Sequence, residues 1–374
     1  MAGLYFHIPF CKRACTYCDF HFSTTGEQEP LLAAMERELI ARARELGDAP
    51  VSTIYFGGGT PSLLETERIA SIMQLTRDLF RVQRDAEVTL EANPDDIAAD
   101  RLEAWKAAGI TRLSLGTQSF REDRLRWMGR AHDADQALRS IELIAKAGFA
   151  SWTIDLIYGL PGMSITEWEE QLSIALDHGM PHLSAYCLTV EPRTALAHQV
   201  KKRIVAMPGD EAQSAQFDHL MVRMERAGLE HYEISNFGRP GHHARHNSSY
   251  WEGVSYLGIG PSAHSYDGLN RRWNVANNAR YTKAVTGGEP YWEEERLTPA
   301  QRTNERLLTG LRTSKGVELA QLELDPLRLQ PKAVERWTAS GHLLQADGRL
   351  VLTKAGRHFA DRIASDLFVD DDDR

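Results

Sequence analysis

Six short apolar runs, recurring at roughly 30-residue intervals between Leu4 and Leu188, restrict the fold of this chain more than any other feature. LYFHI, STIYF, EVTLEA, RLSLG, TIDLIYG and HLSAYCL are rich in β-branched and aromatic residues, as buried strands are. Between them lie LLAAMERELIARARELG, LETERIASIMQLTRDLF, DRLEAWKAAG, DADQALRSIELIAKAG and SITEWEEQLSIALDHG, each with helical apolar spacing and most ending in the glycine that commonly closes a helix. Strand and helix alternating in this way predict an α/β fold. Its parallel sheet would have helices outside and curl into a full or partial (β/α)6 TIM-like barrel. In such folds the chemistry collects where strands end.

The residues that follow the runs carry that chemistry. After the first run, Cys11, Cys15 and Cys18 form a C-x3-C-x2-C array, and the only other cysteine of the 374-residue chain is Cys187. Three crowded thiols leave one unpaired under any disulfide scheme, so a metal centre explains them better. Thiolates favour iron–sulfur clusters, zinc or copper(I). A four-iron cubane normally takes four cysteines, so three would leave one iron open to a small molecule. A zinc site completed by His7 or His21 is the alternative at this point.

After the second run comes Gly57-Gly58-Gly59-Thr60, read either as a tight turn or as backbone that lets a ligand approach and offers it amide N–H groups. Glu91 in EANP, Gln118 in GTQSF and Asp155 in DLIYGLPG arrive at the same rim, which favours a shared pocket. Arg130 falls in what reads as an exposed loop. Cys187, inside HLSAYCL, reads as a buried structural thiol.

Beyond Glu191 the rhythm changes, and a division into 1–190, 191–296 and 297–374 is expected. The middle stretch concentrates histidines among aromatics. Within it, HNSSYW combines His246 with the flat apolar surfaces of Tyr250 and Trp251, a pairing suited to a planar iron-bearing ligand or to a capped turn on an aromatic core. The last stretch reads as helix, helix (DPLRLQPKAVERWTASG) and a hairpin turning at Asp347-Gly348, a small winged-helix-like module with a disordered acidic tail.

A net charge of -9 argues against broad nucleic-acid binding. No apolar run is long enough to cross a bilayer, no signal peptide precedes the first strand, and few cysteines suit a reducing compartment. A cytoplasmic protein is expected, with any membrane contact peripheral.

YFHIPFC, YFGGGTPS, LEANP, SLGTQSF and DLIYGLPG, in that order, resemble the oxygen-independent coproporphyrinogen III oxidase branch of the radical S-adenosylmethionine (SAM) enzymes. The resemblance covers the whole chain. It implies a [4Fe–4S] cluster on Cys11, Cys15 and Cys18, with SAM on the fourth iron. By the same resemblance Gly58, Gly59 and Thr60 approach the methionine end of SAM, Glu91, Gln118, Arg130 and Asp155 make polar contacts, and Tyr5 lies beside the cluster.

Two departures set the chain apart from the oxidases. Their further cysteine, two residues after the third, is here Phe20, and their N-terminal extension has no counterpart before Leu4. HNSSYW instead resembles the mark of the HemW-type haem chaperones of the same family. That resemblance implies haem held as cargo near His246, Tyr250 and Trp251, delivery to haem-requiring proteins including membrane respiratory enzymes, and an electron donor for the cluster. The alternative it leaves is oxidative decarboxylation of coproporphyrinogen III by a 5′-deoxyadenosyl radical.

Overall fold

The computed structural model describes residues 1–371. Each apolar run forms a strand: β1 (Ala2–Ile8), β2 (Val51–Gly58), β3 (Val82–Ala92), β4 (Arg112–Gln118), β5 (Ser151–Tyr158) and β6 (His182–Cys187). They pair in sequence order, all parallel. The connections carry α1 (Gln28–Ala41), α2 (Thr66–Leu79), α3 (Ala99–Ala108), α4 (Glu122–Met128), α5 (Ala134–Ala147) and α6 (Ile165–Asp177).

The strands have two unlike faces, because successive side chains point to opposite sides. One face is apolar and fully buried: Leu4, Phe6 and Ile8, then Ile54 and Phe56, Leu90, Leu113 and Leu115, Ile154 and Leu156, and Leu183. It belongs to one core with Leu32, Met35, Ile69, Trp105, Ile141 and Trp168 of the surrounding helices. At about 1.5–3 kcal/mol per fully buried large side chain, this layer supplies most of the driving force for the barrel. The opposite face is polar: Tyr5 and His7, Thr53 and Tyr55, Glu87 and Glu91, Ser114, Asp155, and His182 and Ser184. The chain therefore builds a sheet whose concave side is a polar interior.

The stretch after β6 holds α7 (Ala195–Lys201), α8 (Asp210–Arg226), β7 (Glu230–Glu233), β8 (Asn236–Gly238), α9 (Arg245–Trp251), β9 (Tyr256–Ile259), β10 (His264–Tyr266), β11 (Asn270–Asn274), α10 (Asn278–Gly287) and β12 (Trp292–Arg296). Its strands extend both edges of the sheet, giving the order β12-β11-β10-β9-β1-β2-β3-β4-β5-β6-β8-β7. Among the described residues no pair closes β7 onto β12, so the barrel is partial.

One buried cluster ties this extension to the front of the barrel. Glu38 of α1, fully buried, accepts from Arg42 Nη1 (3.0 Å), Gly260 N (2.8 Å), Asn274 Nδ2 (2.8 Å) and Tyr281 Oη (2.5 Å).

The C-terminal module comprises α11 (Pro299–Gly310), β13 (Val317–Glu318), α12 (Pro326–Leu329), α13 (Pro331–Ala339), β14 (Leu343–Ala346), β15 (Arg349–Leu352) and α14 (Ala360–Asp366). A three-stranded sheet and helices enclose a second core around Leu307, Val317, Leu343, Leu350 and Ile363. The single helix expected over DPLRLQPKAVERWTASG is split at Gln330 (φ -123°, ψ 47°). Pro331 disfavours helical geometry in the residue before it and has no N–H to continue the ladder.

The acidic tail falls partly on residues 372–374, outside the described residues. Val369, just before the tail, is 1% exposed and bonded through its backbone to Asn304, and the exposed Asp371 accepts from Ala300 N (3.3 Å).

Candidate cofactor site

A cavity of about 580 Å³ opens at the C-terminal ends of the strands. Cys11, Cys15, Cys18, Gly58, Gly59, Thr60, Glu91, Gln118, Arg130 and Asp155 all line it, as the sequence led one to expect of a shared pocket. Its size suits a nucleoside-sized ligand.

The cysteine loop is held in place from three sides: Cys11 N donates to Ser23 O (3.0 Å), Thr16 N to Met128 O (3.0 Å), and Leu196 N to Thr16 O (2.8 Å). All four cysteines are free thiols.

Arg130 is not a solvated surface charge. Its Nη1 reaches Cys15 Sγ (3.4 Å), and its Nη2 donates to Gly116 O (2.7 Å) and Asn93 Oδ1 (2.5 Å). Asn93 Nδ2 donates to Thr60 Oγ1 (3.2 Å), and that hydroxyl lies 3.5 Å from Cys11 Sγ. Two of the three thiols are thus linked through Arg130, Asn93 and Thr60. Asn93 sits in the EANP motif but carries no charge to draw attention to it.

The glycine run serves a different purpose from the one its composition suggests. Gly58 N donates to Glu91 Oε2 (3.1 Å), Gly59 N to Ile8 O (2.9 Å) and Thr60 N to Phe10 O (2.7 Å). These amides are spent within the protein and are not left for an anionic ligand. A Cβ on Gly58 (φ +104°) would stand 2.6 Å from the His7 ring, and one on Gly59 would stand 2.7 Å from the Ile8 and Phe10 carbonyls. Glycine is required by the chain's own packing.

Two carboxylates face the cavity. Glu91 accepts from Tyr55 Oη (2.7 Å) and Gly58 N (3.1 Å), yet burial pushes it up to about 7, with Asp155 adding to the rise. Burial likewise pushes Asp155 up to about 6, opposed by hydrogen bonds from Ser184 and Ser114, the latter at 3.1 Å. Gln118 ends β4 in the left-handed region (φ 63°), a strained conformation of the kind found at ligand sites. Tyr55, Ser114 and Ser184 were legible in principle, since each lies on the same strand face as a selected carboxylate, two residues or one neighbouring strand away.

Two side chains are placed differently from expectation. Cys187 is the last residue of β6, half-buried in the wall of the same cavity, where burial pushes its thiol up to about 11. Tyr5 lies outside the cavity wall, its hydroxyl 3.1 Å from His7 Nδ1 and its ring stacked on Tyr55.

HNSSYW forms α9 and lies against the opposite, N-terminal end of the strands. His246 is 1% exposed. Its Nδ1 meets Thr53 Oγ1 at 2.9 Å and its Nε2 meets Tyr250 Oη at 2.8 Å. Burial pushes the imidazole down to about 3, so it is neutral. Axial ligation of haem iron by His246 would require one of these two bonds to break. Trp251 stacks under Arg312 of the C-terminal module, 5.3 Å from the ring centroid.

The donor set fits an iron–sulfur cluster better than a single ion. Burial raises Cys11 and takes Cys18 to about 11, so these thiols ionise at neutral pH only beside a strong cation. His7, the proposed zinc partner, has both nitrogens engaged, by Tyr5 Oη and by His21 O (2.9 Å). His21 Nε2 meets Asn278 Oδ1 at 2.7 Å. A cubane asks less convergence of its ligands than one ion does, since each thiolate binds its own iron.

The family model described as the radical SAM superfamily matches residues 5–173, and that of the HemN C-terminal domain matches 297–359. The Mycobacterium tuberculosis protein named heme chaperone HemW is 37% identical over 371 residues, covering 98% of this chain and 94% of that relative. The Bacillus subtilis protein of the same name is 35% identical, covering 85% of each. The solved coproporphyrinogen III oxidase HemN from Escherichia coli, a radical SAM enzyme, is 25% identical with a TM-score of 0.85, covering 98% of this chain and 90% of that one. Chain-length identity to the chaperones, on the fold they share with the oxidase, places this protein in the HemW-type haem chaperone family of radical SAM proteins.

Proposed function

We propose that this protein is a haem chaperone that holds a [4Fe–4S] cluster on Cys11, Cys15 and Cys18, binds SAM beside it, and passes haem to haem-requiring proteins, membrane respiratory enzymes among them. The observation that carries the reading is the identity to HemW relatives over 98% of the chain, with Phe20 standing where the oxidases are expected to carry their further cysteine. When bound, the cluster would supply a low-potential electron and an iron with a free coordination position.

The rest of the site is built from the chain. Arg130, with a hydrogen bond to Cys15, would balance the negative charge of thiolates. Its Nε is buried without a hydrogen-bond partner among the described residues. With the amides of Gly58, Gly59 and Thr60 committed and Thr60 O accepting from Leu63 N (3.0 Å), the Gly58 and Gly59 carbonyls would be the groups of this run to receive the amino group of SAM. Glu91 and Asp155 offer acceptors that a cationic ligand would draw toward their ionised forms. Phe20 is 70% exposed, and with Tyr186, Leu188 and Cys187 it gives the mouth an apolar wall where a planar porphyrin could rest.

No helix among the described residues is long and apolar enough to cross a membrane, so contact with a membrane acceptor would be peripheral. An electron donor would have to reach the cysteine loop, whose Lys12, Arg13 and Ala14 are exposed.

The test is titration of the anaerobically purified, cluster-loaded protein with haem, followed by visible spectroscopy. Stoichiometric haem uptake is expected, together with no turnover of coproporphyrinogen III when SAM and a reductant are added. Porphyrinogen decarboxylation would establish the oxidase instead, and absence of haem binding would remove the chaperone reading.

A further inference from the structure

We infer that His246 and Tyr250 of HNSSYW are positioning residues for the SAM site: they form the floor on which the Tyr55 ring rests while its hydroxyl holds Glu91. The inference rests on the reading that Glu91 faces SAM.

The contacts run unbroken from the motif to the carboxylate. The peptide N–H groups of Arg245 and His246 both donate to Glu87 (3.0 and 2.9 Å), which lies on the same strand face as Glu91. This fixes the start of α9 against the inner face of β3. The ring of His246 is then held at both ends, by Thr53 Oγ1 and Tyr250 Oη. A neutral imidazole carries one donor and one acceptor, and two hydroxyls can satisfy either tautomer. So clamped, the ring lies against Tyr55 with centroids 4.9 Å apart and planes 25° apart. Tyr55 Oη donates to Glu91 Oε1 at 2.7 Å, and Glu91 Oε2 accepts from Gly58 N.

Space is also fixed from the neighbouring strand. A Cβ on Gly3 would stand 3.4 Å from His246 Cε1, so the ring fills the interior up to the β1 backbone. His246 is absent from the cavity wall, so its influence on a ligand there passes through Tyr55.

The experiment uses full-length protein with reconstituted cluster, and reads SAM dissociation constant, cluster iron content and haem stoichiometry together. His246→Ala removes the floor, and SAM affinity is expected to fall on the order of tenfold, the effect of loosening one hydrogen bond to a charged group. Iron content and haem stoichiometry should stay at wild-type values. His246→Phe restores a ring face but cannot ligate iron, and it should recover most of the SAM affinity. Should His246→Ala fail to fold, Tyr250→Phe removes a single oxygen and should weaken SAM about threefold.

Unchanged SAM affinity in folded His246→Ala overturns the inference. So does loss of haem in both His246→Ala and His246→Phe with SAM affinity intact, which would make His246 a haem ligand. Glu91→Gln separates the two levels of the argument. If it leaves SAM affinity unchanged, the reading of the SAM site itself fails. If it weakens SAM while folded His246→Ala matches wild type, only the positioning role fails.

Discussion

Removing the hydroxyl of Tyr55 tests how the cavity controls its own charge. Glu91 has two hydrogen-bond donors, Tyr55 Oη at 2.7 Å and Gly58 N at 3.1 Å, against a burial that lifts it to about 7. A hydrogen bond to a charged group is worth about 1.5–3 kcal/mol. At 1.36 kcal/mol per pH unit, Tyr55→Phe should therefore raise Glu91 by about one to two pH units. Water entering the cavity would replace part of the lost bond, so about one unit is the working figure.

The sign follows from which form binds. A cationic ligand needs the carboxylate, which is about half populated at pH 7 in the wild type and about one-tenth populated after a shift of one unit. SAM affinity of cluster-loaded Tyr55→Phe should thus drop about fivefold at pH 7 and recover by about pH 9. The assay is the SAM dissociation constant from pH 6.5 to 9, where Asp155, at about 6, is already mostly ionised. The wild-type profile should inflect near 7 and the variant near 8. Superimposable profiles would refute the reasoning. A loss of equal size at every pH would mean that Tyr55 acts through packing alone.

Two further predictions concern the cluster and the frame. Alanine at Cys11, Cys15 or Cys18 should abolish the brown chromophore after anaerobic reconstitution, whereas Cys187→Ala should retain iron and sulfide. Full retention in the first three variants would contradict the assignment. Glu38→Ala should lower unfolding stability by about 3–5 kcal/mol, read as a lower urea midpoint at unchanged slope, because it leaves buried Arg42 with Glu45 as its one remaining carboxylate partner, takes the acceptor from Gly260 N and Tyr281 Oη, and removes one of the two acceptors of Asn274 Nδ2.

The barrel was legible because its outer strand face is apolar without interruption, and the pocket because charged residues stand at strand ends. What was not legible is non-local. HLSAYCL looks buried throughout, yet alternation turns Ser184 inward and the strand stops at Cys187, leaving that thiol in the wall of the cavity. Arg130 follows a short helix, α4, that carries no strong periodic signal, and only the fold brings it to Cys15 and Asn93, 115 and 37 positions away in sequence. For Gly58 the sequence leaves a tight turn and a ligand cradle open, and only the fold shows the His7 ring filling its missing Cβ. For His246 the sequence leaves a planar iron-bearing ligand and a capped turn open, and only the fold brings Thr53, 193 positions away, onto one nitrogen. In each case the residue type was noticed and its partner was not, since partners set by topology leave no local pattern.

The same interior should carry a stability cost that runs opposite to function. Glu91 has an ordinary value of 4.5 and stands at about 7 in the fold, and Asp155 moves from 3.8 to about 6. For an acid raised on folding, the unfolded chain releases its proton first, so the folded state binds more protons between the two values and stability falls as pH rises through that window. The wild-type protein without cluster or SAM should therefore lose stability between about pH 4 and 7, by at most about 3 kcal/mol from Glu91 and less where cavity water screens it. Glu91→Gln removes this term. It should be more stable than wild type at pH 8, equal to it near pH 4, and defective in SAM binding throughout. Gln cannot supply the charge, but its amide oxygen can accept from Gly58 N while its NH2 donates to Tyr55 Oη, so packing alone predicts no such pH dependence. If the stability difference between Glu91→Gln and wild type is flat from pH 4 to 8, the carboxylate is not held at a raised value, and the link between buried charge and ligand binding fails with it.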